Sequence, residues 1–328
     1  MTLSKLKQDG HIGAGVADAA ESVPEASGPA AAPRRRLLVI HNPVAGARRA
    51  RRLGAVLELL EQRHGAVVTL QATGGRGDAE AMARAVAPGA FDAVVAAGGD
   101  GTINEVVNGL GARGGGSAAI PLGVVPLGTA NVLAHELGLP LDAEGTARVL
   151  AEGRPLPVHL GVANGRAFAM MAGAGLDARV VERVDPRLKR LIGKGAYAVE
   201  TLARIAAGGG GPYRVAVDGA EPVEVASVIV AKGHFYGGRF VCAPGARLTD
   251  PRLHVCLFPR MGRGNALRYL WGVTAGRLPR FPDYRILPAR RVVVEGPAGE
   301  PVQGDGDVIA RLPVEIALAP WILPVLAG

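Results

Sequence analysis

Short apolar runs alternate with stretches of helical periodicity between residues 34 and 137. Four of these runs predict buried strands, at residues 37–40, 67–70, 93–97 and 122–126. The stretch after the third run predicts a helix, because its apolar residues recur at i, i+3, i+4 and i+7: Ile103, Val106, Val107 and Leu110. Four strand–helix units within about 100 residues predict an α/β fold, with a parallel sheet and helices on its faces. Ligands of such a sheet bind beyond the carboxyl ends of its strands.

The rest of the chain differs in character. Beyond residue 140, short β-prone runs separated by turns predict a second, mainly antiparallel β domain of the sandwich type. A long helical insert is predicted at 185–207, and the apolar segment 321–326 is predicted to pack back on a domain. Residues 1–33 are rich in Ala, Gly, Pro and Ser without a sustained period, so a disordered tail is predicted there.

Composition excludes several classes of protein. Hydrophobic residues make up 48% of the chain, which is enough for packed cores. No apolar stretch approaches the roughly 18 residues of a membrane-spanning helix, and the N-terminus lacks the pattern of a secretory signal. Cys242 and Cys256 lie fourteen positions apart without a nearby Cys/His cluster. This spacing disfavours a zinc site and favours the cytoplasm, where thiols stay reduced.

The net charge of +8 comes mostly from arginine, since only five of the 37 basic residues are lysines. A genome rich in G and C would produce this excess without any function. The functional alternative is attraction to phosphate, on a nucleotide or at an anionic membrane surface. Aromatic residues are only 4% of the chain, which disfavours a protein that stacks on nucleic-acid bases. No nucleic-acid partner is therefore expected.

The strongest local signal is Gly98-Gly99-Asp100-Gly101-Thr102, between the third predicted strand and the next helix. Glycines let the backbone approach an anion closely, and the N–H groups at a helix N-terminus favour phosphate. Asp100 would repel a bare phosphate, so it indicates an intervening Mg²⁺ or a sugar hydroxyl. A tight turn with an ordinary helix cap also explains the pentad.

Three other loops occupy equivalent positions after strands of the same sheet. They cover residues 42–46, 73–78 and 126–131, and each is polar or rich in glycine. Each loop alone is compatible with a plain turn. Their joint placement at one sheet edge predicts a nucleotide crevice.

Together these segments resemble the diacylglycerol kinase catalytic-domain family, and most of all its soluble bacterial lipid kinases, which are relatives of sphingosine and ceramide kinases. The resemblance extends from about residue 34 to the end and rests on four motifs: Asn42-Pro43 with Gly46, Thr73 with Gly77-Asp78-Ala79, 98–104 with Glu105, and 126–131. It implies a Rossmann-like nucleotide domain at 34–139, which the final segment, 314–328, rejoins. It also implies a β-rich lipid-substrate domain at 140–313, with the cleft between the two domains.

The resemblance also implies roles for individual residues. ATP would contact Asn42, Thr73, Gly98, Gly99, Asp100, Gly101, Thr102, Ile103, Asn104, Gly128, Thr129 and Asn131. Asp100 and Asp307 would be catalytic. Asp307 belongs to Asp305-Gly306-Asp307 and occupies the position of the base in the family's Asp-Gly-Glu motif, one methylene shorter. As base, it would take the proton of a lipid hydroxyl that attacks the γ-phosphorus. Asp305 is the competing candidate, and a simple β-turn at 304–307 is the alternative without function.

Residues 244–250 resemble the family's metal-binding loop. The resemblance implies that Mg²⁺ is held by the carboxylate of Asp250 and by backbone carbonyls at about Arg247 and Arg252, ligands that suit a hard cation. Pro251 follows Asp250 where the family often has glycine, so the local turn can differ. Asp before Pro also opens turns without any metal.

The expected function is therefore that of an ATP- and Mg²⁺-dependent lipid kinase, which phosphorylates a hydroxyl of a diacylglycerol-like or sphingoid lipid. The alternatives are an NAD kinase, which shares the Gly-Gly-Asp-Gly-Thr loop, and a non-catalytic nucleotide- or lipid-binding regulatory protein. A cytoplasmic protein associated peripherally with the inner membrane surface is expected. A basic amphipathic stretch that contains Lys189, Arg190 and Lys194 is a candidate for that contact. The oligomeric state is left open, a homodimer included.

Overall fold

The computed structural model of the chain describes residues 36–43, 47–112, 119–184, 194–208 and 211–328. The predicted tail, together with Lys189 and Arg190, lies outside the described residues, and so does the side chain of Lys194.

The first half of the chain forms the predicted parallel sheet. Its strands are β1 (Arg36–His41), β2 (Val67–Ala72), β3 (Ala93–Gly98) and β4 (Leu122–Pro126), in the order β2-β1-β3-β4. All of their pairings are parallel. Every residue of β3 and β4 is buried, as expected for strands with both faces covered. The helices are α1 (Ala47–Gln62), α2 (Asp78–Ala85), α3 (Asp100–Gly111), α4 (Val132–Glu136) and α5 (Ala143–Glu152).

The last strand of the chain continues this sheet. β18 (Val314–Ala327) lies beside β4, with Val325 paired in parallel to Leu122. β5 (Arg154–Ala163) and β15 (Arg291–Glu295) pair antiparallel to β18. The sheet extends further through β8 (Tyr213–Val217) and β9 (Val223–Val225), and β6 (Arg166–Phe168) pairs with β5. Helix α5, which the sequence analysis did not predict, packs against α1 and β4, so the α/β layer continues past residue 139.

A second, antiparallel sheet completes the predicted β-sandwich. Its order is β14-β13-β10-β7-β16-β17. These strands are β7 (Met171–Ala174), β10 (Ser227–Ala231), β13 (Leu253–Phe258), β14 (Arg285–Ala289), β16 (Pro301–Gly304) and β17 (Asp307–Arg311). The sandwich core holds buried side chains from both sheets, among them Tyr213, Val215, Val230 and Val255. A small ribbon pairs β11 (Phe235–Tyr236) with β12 (Phe240–Val241).

Three helices lie beside the second sheet. They are α6 (Leu176–Arg183), α7 (Lys194–Ala207) and α8 (Arg263–Thr274), and a 3-10 turn follows at Leu278–Arg280. α7 lies within the predicted insert and packs against both α6 and α8. The sequence analysis did not predict α8. Among the described residues, no helix is both long and apolar enough to cross a bilayer.

Candidate active site

A cleft of about 1590 Å³ lies between the carboxyl ends of β3 and β4 and the helices α6, α7 and α8. Its polar end is formed by backbone loops and by the turn between β16 and β17: Gly98, Gly99, Asp100, Gly101, Gly128, Thr129, Asp305, Gly306 and Asp307. Its other end is lined by apolar side chains that include Val180, Ile205, Phe258, Leu270 and Val273. One cavity therefore joins a glycine-rich loop cluster to an apolar chamber.

The loops after β3 and β4 touch through their backbones. The Leu127 N–H donates a hydrogen bond of 2.9 Å to the Gly98 carbonyl. A Cβ at Gly128 would lie 2.6 Å from the Cα of Gly99, so a side chain there would force the loops apart. Because α3 begins at Asp100, the first of these loops presents the N–H groups and the positive dipole end of a helix to the cleft. Such a helix start favours phosphate.

Asp100 connects the same two loops through its side chain. Its carboxylate accepts a hydrogen bond of 2.7 Å from the Val132 N–H at the start of α4. Burial raises the pKa of this carboxyl, and backbone N–H donors oppose the shift without cancelling it. Asp100 thus holds the loop before α4 in place, beside the position predicted for phosphate.

The predicted ATP-contacting residues fall into two groups. Those that line the cleft are Asn42, Gly98, Gly99, Asp100, Gly101, Ile103, Gly128 and Thr129. Thr73, Thr102, Asn104 and Asn131 are not among the described lining residues. Thr102 packs against Gly98, where an added Cβ would lie 2.5 Å from the Thr102 hydroxyl oxygen.

The side chain of Asn104 connects α3 to the β-rich half of the chain. Its buried amide donates to the Ala167 carbonyl, at 3.1 Å, and to the Asp305 carboxylate, at 3.0 Å. Both amide hydrogens of this side chain are therefore directed at the β-rich half, and a nucleotide contact by Asn104 stays a prediction.

Asp305 is fully engaged by hydrogen-bond donors. Its carboxylate accepts from the N–H groups of Ala169 (2.7 Å), Met170 (2.9 Å) and Met171 (3.1 Å), besides the amide of Asn104. The residue has a φ of +52°, in the left-handed region. Burial raises the pKa of the carboxyl in spite of the four donors. With both oxygens occupied, Asp305 stabilises the turn and is poorly placed to accept a proton from a substrate.

Asp307 is placed differently, although it is only two residues away. Its side chain is 42% exposed and lines the cleft. A Cβ at Gly101 would lie 3.2 Å from the Asp307 carboxylate, so this carboxylate rests directly against the first turn of α3. The guanidinium of Arg76 donates a hydrogen bond of 3.1 Å to this carboxylate. Of the two acidic residues, Asp307 therefore has the accessible carboxylate, and that carboxylate lies beside the start of α3.

The loop at 73–78 brings Arg76 to this position. Asp78 accepts hydrogen bonds from the N–H groups of Gly74 (2.7 Å) and Gly75 (2.8 Å). Glu105, on α3, accepts from Gly77 N–H at 2.9 Å. The glycines of this loop therefore belong to a turn that two carboxylates hold against α3.

The loop predicted to bind metal contains a protein cation. The ammonium of Lys232 donates to the carbonyls of Arg247 (2.9 Å), Asp250 (2.6 Å) and Arg252 (3.3 Å). The carboxylate of Asp250 is paired with the Arg252 guanidinium at 2.7 Å.

Comparisons with known proteins agree with this architecture. The family described as "Diacylglycerol kinase catalytic domain" matches residues 36–163, and the "YegS C-terminal NAD kinase beta sandwich-like domain" matches residues 170–327. A protein of Pseudomonas aeruginosa (strain UCBPP-PA14), named "Probable lipid kinase YegS-like", is 30% identical over 88% of this chain and 93% of its own length. A diacylglycerol kinase of Bacillus subtilis (strain 168) is 30% identical over 86% of this chain and 92% of its own. The chain belongs to the diacylglycerol kinase family.

The solved structures show the same fold. A crystal structure of a diacylglycerol kinase from Bacillus anthracis str. Sterne has a TM-score of 0.70 at 22% identity. It covers 90% of this chain, and 98% of that chain is matched. The predicted family and the predicted two-part fold are both confirmed.

For this diacylglycerol kinase family member, the metal site implied by the resemblance does not fit the residues present. The carbonyls of Arg247 and Arg252 accept hydrogen bonds from Lys232, and Asp250 is paired with Arg252, so all three expected ligands are in use. The described residues contain no group of three or more His, Cys, Asp or Glu side chains that could hold a metal. The predicted ligands Asp250, Arg247 and Arg252 are therefore corrected to a loop around an ammonium.

The structure adds two arginines and one acidic residue to the site residues named above. Arg76 reaches Asp307 across 231 positions, and Arg49 lines the cleft and donates to the Thr129 hydroxyl at 3.2 Å. Asp177, at the start of α6, also lines the cleft. One of its oxygens accepts from the Gln303 amide at 3.1 Å, and the other is buried without a partner among the described residues. Burial raises the pKa of this carboxyl to about 6.

Proposed function

We propose that this chain is an ATP-dependent lipid kinase, in which Asp307 is the general base. The observation that carries the proposal is the accessible carboxylate of Asp307 beside Gly101, at the first turn of α3. At one end of the cleft, the helix start proposed to bind phosphate lies next to the proton-accepting carboxylate of Asp307. The apolar chamber lies at the other end.

In the proposed reaction, the γ-phosphate of ATP lies at the start of α3. The N–H groups and dipole of that helix, together with the Arg49 guanidinium, attract its negative charge. The close contact between Gly99 and Gly128 keeps the backbone near the phosphate chain free of side chains. Mg²⁺ would enter on the nucleotide, where it neutralises phosphate charge.

The acceptor hydroxyl would approach from the apolar chamber. As its oxygen forms a bond to the γ-phosphorus, the bond from that phosphorus to the bridging oxygen breaks and ADP leaves. The hydroxyl proton passes to the Asp307 carboxylate. The Arg76 guanidinium is 74% exposed, so it orients Asp307 as a weak surface partner and leaves one oxygen free for this proton.

Apolar chains of a lipid fit the chamber lined by Val180, Ile205, Phe258, Leu270 and Val273. A polar acceptor such as NAD would leave this surface without apolar contacts. The chamber therefore favours a lipid acceptor over the NAD kinase alternative. Diacylglycerol-like and sphingoid lipids both satisfy this chemistry.

The neighbouring surface supports peripheral membrane association. α7 and α8 expose large apolar side chains, those of Val199, Leu202, Leu267 and Trp271, each about half exposed. Phe240 and Met261 are exposed as well as lining the cleft, so they form part of its rim. Arg263, on α8, and Arg277, just after that helix, add positive charge. Apolar and cationic side chains at the cleft rim suit a surface of anionic lipid, from which the acceptor would enter.

Transfer of labelled phosphate from ATP in mixed micelles tests the function. The acceptors are diacylglycerol, a sphingoid base, ceramide, phosphatidylglycerol and NAD, each with Mg²⁺ present. Label on one lipid class supports the proposal and names the acceptor. Label on NAD supports the NAD kinase alternative instead. Measurable ATP binding without transfer to any acceptor would favour the regulatory-protein alternative.

A further inference from the structure

Lys232 places a protein cation where the family resemblance implies a metal. The residue follows β10 directly, and its N–H donates to the Met170 carbonyl at 2.8 Å, so the start of the side chain is fixed to the second sheet. Its ammonium reaches three carbonyls of one short segment, those of Arg247, Asp250 and Arg252. An ammonium has three N–H donors, and each of these carbonyls takes one.

The burial of Lys232 shows that these contacts are needed. The residue is fully buried, with 0% of its surface exposed, and is among the largest fully buried side chains of the described residues. An ammonium removed from water is costly unless its hydrogens are all paired. Burial lowers the pKa of Lys232 to about 8, against the attraction of Asp250 and Glu136. Three convergent carbonyls supply the pairing.

The carbonyls in turn need a cation. Three peptide oxygens that point at one spot repel one another unless positive charge lies between them. The nitrogen–oxygen distances of 2.6–3.3 Å are those of hydrogen bonds to an ammonium. The Asp250 carboxylate, which a metal would require, instead accepts hydrogen bonds from Nε and Nη2 of Arg252.

The segment held in this way connects the two halves of the fold. Leu248 lies inside it, and the Leu248 carbonyl accepts a hydrogen bond of 2.8 Å from His159 N–H on β5. β5 belongs to the first sheet, whereas Lys232 extends from the second. A cation in the segment therefore supports a junction between the sheets at a distance from the reacting groups, since the residues 244–252 do not line the cleft among the described residues.

We propose that the ammonium of Lys232 replaces a structural divalent cation in the loop at 247–252, so that this chain folds the loop without metal. The loop is thus a site for a cation that the chain itself carries. Truncation of the Lys232 side chain should leave a cavity that accepts a small external cation.

The test uses the full chain without nucleotide, as wild type, Lys232→Met and Lys232→Ala. Wild type should purify with no divalent metal attributable to this loop by elemental analysis, and a chelator should leave its Tm unchanged. Lys232→Met keeps most of the volume but removes the charge, so its Tm should fall by several degrees because the carbonyls are left unpaired. Lys232→Ala should also have a lowered Tm. Propylammonium, Mg²⁺ or Ca²⁺ should restore part of that Tm, at concentrations that leave the Tm of Lys232→Met unchanged.

Each outcome decides the proposal. One equivalent of metal in wild type, removed by chelator together with several degrees of Tm, would overturn it. A Tm of Lys232→Met equal to that of wild type would overturn it as well. The proposal would also be overturned if none of the three cations raised the Tm of Lys232→Ala. If Lys232→Ala does not fold, its refolding yield with and without propylammonium replaces the Tm, and an equal yield contradicts the proposal.

Discussion

Replacing Asp305 with asparagine isolates the hydrogen bonds that hold the turn before Asp307. Each carboxylate oxygen accepts two donors: one accepts from Met170 and Met171, the other from Ala169 and Asn104. Asparagine keeps the size of the side chain and tolerates the φ of +52°. It cannot keep all four hydrogen bonds, because its amide nitrogen faces two donors in either orientation.

The loss can be worked out from this geometry. Two unpaired buried donors cost about 1–3 kcal/mol each, or about 2–6 kcal/mol together. A neutral amide is easier to bury than a carboxylate, which offsets part of the cost. We therefore expect Asp305→Asn to lower the free energy of unfolding by about 2–3 kcal/mol.

Urea unfolding measures this effect, with circular dichroism and tryptophan fluorescence recorded together. Trp271 on α8 and Trp321 on β18 report on different parts of the fold. The matched control is Asp307→Asn, whose exposed pair with Arg76 should be worth less than about 0.5 kcal/mol. If Asp305→Asn unfolds within about 0.5 kcal/mol of wild type, the structural role assigned to Asp305 is wrong.

Three other perturbations test separate parts of the molecule. Gly128→Ala places a Cβ 2.6 Å from Gly99 Cα, so the KM for ATP should rise about tenfold or more. The control Gly54→Ala, whose new Cβ has no atom within 4 Å, should leave the KM for ATP unchanged. Because the pKa of Asp177 is raised to about 6, the unfolded chain loses this proton first as the pH rises. The free energy of unfolding should therefore fall between about pH 4 and 6, and Asp177→Asn should remove about 3 kcal/mol of that fall. Urea unfolding at about pH 4 and at about pH 6 measures the difference, and an unchanged pH dependence in Asp177→Asn would contradict the raised pKa. Trp271→Ser should weaken sedimentation with phosphatidylglycerol vesicles several-fold without lowering Tm, and equal binding would exclude this face from the contact.

The sequence predicts the strands of the first sheet because their signal is local. The run at 93–97 is apolar throughout, and the structure buries every residue of β3. The glycine pentad correctly marks the turn between β3 and α3, but the helix begins inside the pentad, at Asp100, and not after it. α8 escapes prediction because Leu267 and Trp271 remain exposed, which blurs its helical pattern.

The parts of the site that escape prediction depend on distant partners. Asn104 lies on α3, yet its hydrogen-bond partner Asp305 is 201 positions away in the sequence. Residue type alone does not distinguish Asp305 from Asp307, and the donors around Asp305 show which of the two carboxylates is occupied. Lys232 follows a strand as an ordinary charged residue would, and its carbonyl partners begin 15 positions later. Nothing local distinguishes a lysine that ends in water from one that ends in a cage of carbonyls.

The central claim is that the Asp307 carboxylate accepts the proton of the lipid hydroxyl. It is tested most directly by single-turnover phosphate transfer with ATP bound at saturation, using the acceptor that the micelle panel identifies. Asp307→Asn should slow transfer by about 10²–10⁴-fold with an unchanged Kd for ATP, and Asp307→Glu should retain transfer. Transfer by Asp307→Asn within about tenfold of wild type would contradict the account, because the carboxylate beside the phosphate loop would then not be the base.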